Sequence, residues 1–206
     1  MYEALKALLP PQVAQWSSRA ALVRDTAALA AAKLPANQLY CLPQPEAELF
    51  PFVGRCRLVL GTKAQLQTLQ TLCQDAGYTR PLSVGLFLRT DSTAPPYGFS
   101  VSQLPALSAF VRTLPLVSVA GCLAGSERQG MQGDALDRFF PAAYQAAKTM
   151  SAVLPCSMPY LGLCNGLFAL EACRLHDPDT LSRSLLTLRT VAMQNETAFY
   201  ARLLLF

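Results

Sequence analysis

Short apolar runs recur along this chain, and most are separated by a stretch with helical periodicity. That alternation restricts the fold more than anything else in the sequence. The runs are 39–42 (LYCL), 56–60 (CRLVL), 82–88 (LSVGLFL), 116–123 (LVSVAGCL) and 159–163 (PYLGL). Apolar runs of this length bounded by turn residues read as strands, and continuous apolarity fits parallel strands buried on both faces. Between them, Leu66, Leu69, Leu72, Cys73 and Ala76 recur at helical spacing, with Gly77 placed to stop the helix. Ser102 is placed to cap a helix whose apolar face is Leu104, Leu107, Phe110, Val111 and Leu114. Leu136, Phe139, Phe140, Ala143, Tyr144 and Ala147 form another face, with Pro141 marking a helix start or a kink.

Strand, helix, strand, helix specifies a parallel sheet of right-handed βα crossovers, either a barrel or an open doubly wound sheet. Sites in both lie at the C-terminal strand ends. Here these are 61–63, 89–98, 124–130 and 164–166. A first helix is expected over 17–32, and 180–206 reads as one long helix or two strands. No Gly/Ser linker divides the chain, so 1–206 is expected to be a single α/β domain, with an N-terminal helical segment over 1–37 and βα repeats over 38–206.

The chain is 52% hydrophobic and 15% charged, against roughly 25% charged in an ordinary soluble domain. So much apolar surface calls for a broad core, a subunit interface, or both. A homo-oligomer, specifically a dimer, or a protein partner is therefore expected. The net charge is +4, without a basic run or stripe, so nucleic-acid binding is not expected. The seven cysteines are odd in number and lack CxxC spacing, so neither a disulfide framework nor a metal site is indicated. Prolines and Glu3 interrupt the start where a secretion signal needs an unbroken apolar stretch. A cytoplasmic location is the expectation. Residues 149–170 carry no charge, but Pro155, Pro159, Gly162, Asn165 and Gly166 break the run, which argues against a membrane span.

Residues 82–123 carry a resemblance. PLSVGLFLRTD, PYGFSVSQLPALSAFVRTLP and LVSVAGCL resemble the pyridoxal phosphate homeostasis proteins, single-domain relatives of the alanine racemase N-terminal barrel. Gly98, Phe99, Leu104, Pro105, Leu114, Pro115 and Gly121 fall in register with them, and RLVLGTKAQLQTLQTLCQDAG looks like the preceding βα unit. The resemblance covers about 39–190 and implies a shortened or incomplete TIM-like barrel.

It also implies pyridoxal 5′-phosphate as cofactor, a Schiff-base lysine on the first strand, and phosphate held by two turns. The family's Ser-Met-Gly-Met-Ser position reads Tyr160, Leu161, Gly162, Leu163, Cys164, and Asn165 and Gly166 then offer backbone N–H groups at a helix start. Its Arg-Ile-Gly-Thr turn matches Arg183 alone, and the lysine of its Lys-x-Gly-Phe turn is Pro96. AALAAAKLPA nominates Lys33 for the Schiff base. The other reading of Lys33 is a cation in the last turn of a helix, facing its dipole.

A second resemblance competes. PYLGLCNGLFALEA is similar to the nucleophile turn of class I glutamine amidotransferases, as in formylglycinamidine ribonucleotide synthase. It implies an open flavodoxin-like sheet with Cys164 as a catalytic nucleophile on a strained strand-to-helix turn. A cysteine nucleophile needs a base. The one histidine, His176, lies in an HDPD turn and reads as a surface residue. Asp91, Glu127, Asp134 and Asp137 read as solvated carboxylates near strand ends, and Tyr97 as a packing residue or a pocket wall. The leading expectation is a degenerate relative of the homeostasis family, a pseudoenzyme that binds a small phosphate-bearing ligand or a protein partner without catalysis.

Overall fold

The computed structural model describes residues 7, 17–44, 46–90, 97–125, 134–154, 156–163, 175–195 and 202–205. Its strands are β1 (Ser17–Arg19), β2 (Ala21–Val23), β3 (Leu39–Cys41), β4 (Arg57–Leu60), β5 (Leu82–Arg89), β6 (Val117–Gly125), β7 (Ser157–Leu163) and β8 (Arg202–Leu205). Its helices are α1 (Thr26–Ala31), α2 (Lys63–Asp75), α3 (Leu104–Val111), α4 (Asp134–Val153) and α5 (Pro178–Asn195). All the strand pairings are parallel.

Six strands, β3 to β8, form one continuous curved sheet in sequence order, a partial TIM-like barrel. The pairings go further. β1 lies on β8, with Ser17 opposite Leu203, while β2 lies on β3, with Ala21 opposite Leu39. Only Ala20 separates β1 from β2, so the stretch 17–23 bridges the two edges of the six-stranded sheet. The two edges of that sheet are thus each paired within the chain. Because the winding never reverses, the open doubly wound sheet of the amidotransferase reading is not the fold found here.

Alternation along each strand sorts side chains into two cores. Leu58 and Leu60 of β4, Val84, Leu86 and Leu88 of β5, and Leu161 and Leu163 of β7 face outward, into the large core shared with the helices. Tyr40, Val59, Phe87, Leu123 and Tyr160 face inward, into a second, smaller core within the barrel.

The helices follow their local chemistry. Thr62 caps α2 by accepting from the Gln65 N–H at 3.1 Å. Gly77, at φ 70°, ends that helix as expected, and the Tyr78 N–H reaches back to the Cys73 carbonyl at 2.9 Å. The cap ahead of α3 is Ser100 rather than Ser102: Ser100 and Gln103 form a reciprocal capping box over the turn Val101–Gln103. Pro141 lies inside α4. The open 180–206 region resolves into one element of each kind, α5 and β8.

The helix expected over 17–32 is a correction. Its first half is β1 and β2, and only Thr26–Ala31 is helical, capped by Asp25, which accepts from the Ala28 N–H at 2.7 Å. Alanine favours helix, but a short helix is marginal alone. Pairing of β1 with β8 and of β2 with β3 satisfies the backbone of 17–23 in the extended form.

Candidate ligand site at the C-terminal mouth of the barrel

The barrel interior is filled from its N-terminal end. Tyr160 occupies the middle, and two glycines make room for it. A Cβ on Gly121 would meet Tyr160 ring carbons at 2.6–2.7 Å, and one on Gly85 would collide with the Tyr160 hydroxyl. Gly121 also sits at φ 97° in an irregularity of β6, a conformation glycine adopts without penalty. The Tyr40 ring meets Tyr160 edge-on at 5.1 Å. Arg57, at the start of β4, lies 5.8 Å from the Tyr40 ring centre and 5.9 Å from that of Tyr160.

The opposite end is built differently. After β5 the chain returns, and 97–99 wedges between the ends of β4 and β5. The Gly98 N–H donates to the Gly61 carbonyl at 3.0 Å, the Phe99 N–H to the Phe87 carbonyl at 2.8 Å, and the Arg89 N–H to the Phe99 carbonyl at 2.9 Å. This sets the Tyr97 ring against Gly61, where a Cβ would come within 2.8 Å of it, and 5.8 Å from the Phe87 ring. The Tyr97 hydroxyl donates to the Pro43 carbonyl at 2.8 Å. Burial pushes the Tyr97 phenol up, opposed in part by a hydrogen bond with Gln65 and the charge of Arg24. Tyr97 is therefore both a packing residue and a wall of the mouth.

Buried Gln65 ties this end together. Its amide donates to the Pro43 carbonyl at 3.2 Å and the Gln44 carbonyl at 3.1 Å, and its oxygen accepts from the Gly61 N–H at 3.0 Å.

Two cations stand at the same end. Arg89 closes β5 two residues after inward-facing Phe87, and is half-buried. Arg24 follows β2 two residues after Leu22, which packs on the inner core, and its charge is felt at Tyr97. Sequence reading missed both. An arginine ending an apolar strand was the available signal for Arg89. Arg24 was hidden within the expected helix.

Gly162 lies within β7, not at the start of a turn, and is buried opposite Leu123 of the inner core. Cys164, Asn165 and Gly166 lie outside the described residues, as do Asp91 and Glu127. Lys33 is exposed, beyond the end of α1 in the connection to the N-terminal end of β3. It is therefore not in the last turn of α1, which ends at Ala31 and holds no basic residue there. The mouth lies at the other end of the strands.

Arg183 is not at the mouth either. Its Nε pairs with Asp137 Oδ2 at 2.9 Å across the seam of α4 and α5, where Ser184 Oγ also donates to Asp137 at 3.2 Å. His176 is exposed. No group of three metal-ligating side chains occurs among the described residues, and none of their helices is long and apolar enough to cross a membrane.

No protein-family model matches the sequence, and no curated protein matches it. Solved structures do. The diaminopimelate decarboxylase from Helicobacter pylori complexed with L-lysine aligns at a TM-score of 0.63 and 8% identity, over 90% of this chain and 50% of that one. The Paramecium bursaria Chlorella virus arginine decarboxylase bound to agmatine gives 0.62 and 10%, over 90% and 50%. The alanine racemase from Corynebacterium glutamicum gives 0.51 and 16%, over 79% and 42%. The chain thus spans half the length of these proteins or less, and what it shares with them is the fold: a partial barrel of the alanine racemase type.

Proposed function

We propose that this chain is a non-catalytic binding protein for a small phosphate-bearing ligand, held by charge at the C-terminal mouth of the barrel. Pyridoxal 5′-phosphate is the ligand the sequence resemblance names. The reading is carried by strand alternation, which brings exposed Arg24 and half-buried Arg89 into the inner register at the ends of β2 and β5, with the Arg24 charge acting at Tyr97. Guanidinium groups present forked donors that match phosphate oxygens. At Gly162 the inner surface of the barrel carries no side chain beyond hydrogen, which allows close approach to the backbone.

A covalent link to the cofactor does not fit the described residues. β2 ends at Val23 and is followed by Arg24, a guanidinium and not the primary amine that a Schiff base needs. Bound pyridoxal phosphate would bring an electron-withdrawing ring and an aldehyde. The role of this chain's own residues is to bind its phosphate and flank the ring.

Calorimetric titration with pyridoxal 5′-phosphate and with inorganic phosphate tests this. Binding should weaken with salt, and Arg89→Gln should weaken it about 10- to 100-fold, the worth of one charge-assisted hydrogen bond. Borohydride treatment of the mixture should attach no pyridoxyl group. A pyridoxyl label on Lys33, or no binding of either ligand at millimolar concentration, overturns the proposal.

A further inference from the structure

The stretch 17–23 closes the barrel with little material. Residues 17–19 pair with β8 and 21–23 with β3, so each ladder is three residues long. By contrast, β5 runs against β6 from Leu82 to Arg89. Of residues 20–23 only Ala20 and Val23 are buried, whereas Ala21 and Leu22 are half-covered. The strands at the middle of the sheet bury Val59, Leu60, Leu86, Phe87, Cys122 and Leu123. The helix that follows the stretch, α1, has six residues and buries Leu29 alone, and a helix that short does not hold itself. Short ladders and little buried apolar surface put a segment at the low end of local stability.

This weak closure carries half of the proposed ligand site. Alternation places Ala20 and Leu22 on the inner core, and Arg24 follows in the same register. The Leu42 N–H donates to the Val23 carbonyl at 3.0 Å. The next residue, Pro43, receives the Tyr97 hydroxyl at 2.8 Å and the Gln65 amide at 3.2 Å. The end of the stretch is thus pinned to the rim that holds the aromatic wall. Arg89 belongs to the long strand β5, and its stem lies along the wedge: a Cβ on Gly98 would come within 2.8 Å of its Cγ. From β2 to β5 there are three strand spacings, each of about 4.8 Å along a curved sheet. That gap is on the scale of two inward arginine side chains with a phosphate between them.

We propose that the stretch 17–23 is a strap that opens locally as a unit while the rest of the sheet stays closed, and that an anion held between Arg24 and Arg89 fastens it. The proposal rests on the reading of the mouth as a phosphate site. When the strap opens, Arg24 leaves the rim and the ligand keeps Arg89 alone. The ligand therefore binds the closed form more tightly, and by linkage it must shift the population toward closure.

Hydrogen exchange on the intact chain, followed by mass spectrometry, tests this with inorganic phosphate as the probe. Without phosphate, the amides of 17–23 should exchange as a group, more than about tenfold faster than those of β4 to β6. Phosphate at ten times the dissociation constant read by calorimetry should slow them about tenfold. Arg24→Gln, at ten times its own dissociation constant, should leave them at the ligand-free rate. Equal exchange in 17–23 and β4 to β6 without ligand overturns the local opening. Phosphate that binds by calorimetry yet leaves 17–23 unslowed overturns the fastening while the mouth reading stands, and so does slowing that persists in Arg24→Gln. Absence of phosphate binding overturns the mouth reading and the fastening together, and the ligand-free rates still decide the local opening.

Discussion

The two ends of the barrel use the same residue types to opposite effect. At the N-terminal end, Arg57 lies over the Tyr40 and Tyr160 rings, and Gly85 and Gly121 exist to admit Tyr160. At the C-terminal end, Arg24 and Arg89 stand beside Tyr97, and Gly61 and Gly98 admit the wedge that carries it. The first arrangement is a plug in which cation and rings satisfy one another. The second is a rim, where the aromatic hydroxyl is committed to a main-chain carbonyl and the cations sit at strand ends. Aromatic and arginine content therefore says little by itself. What separates core from site is which end of the strands those residues occupy.

Variants sharpen the contrast, the plug first. Tyr160→Ala should cost about 3–5 kcal/mol of unfolding free energy, read by urea denaturation, because the glycines around it cannot fill the space. An unchanged midpoint would show that the interior is not packed as described. Gln65→Ala should cost about 2–3 kcal/mol, since it strips partners from carbonyls and an N–H at the rim. It should also weaken phosphate binding, and a stability loss with full binding would separate the clasp from the site. Arg57→Ala should cost only about 0.5–1 kcal/mol, the worth of an exposed cation–π contact, with phosphate affinity unaltered. If Arg57→Ala lowers affinity as much as Arg89→Gln, the division between plug and rim fails.

Strands β3 to β7 were legible because each is an apolar run long enough to stand out from its flanking turns, and α2 because Gly77 ends it visibly. The first strand was not legible. Ser17–Val23 is rich in alanine and leads directly into a true helix, so its local preference points the wrong way. What makes it extended is pairing with β8 and β3, and no window of sequence contains those partners. With 17–32 read as helix, Arg24 did not stand out as a strand-end residue. Arg183 was chosen from a motif in which only the arginine matched, and its partner Asp137 belongs to a distant helix. Gly162 was nominated for a phosphate-binding turn, and it lies instead inside β7.

The seam between β1 and β8 joins segments from near the two ends of the sequence, each only a few residues long. Contacts between such distant segments form slowly, because the loop between them must close before the pairing rewards it. Until they form, a folding chain would hold a curled sheet with two bare edges, the geometry on which foreign strands add. Timely joining of that seam, more than the strength of the interior, would then govern whether newly made chains stay apart from one another.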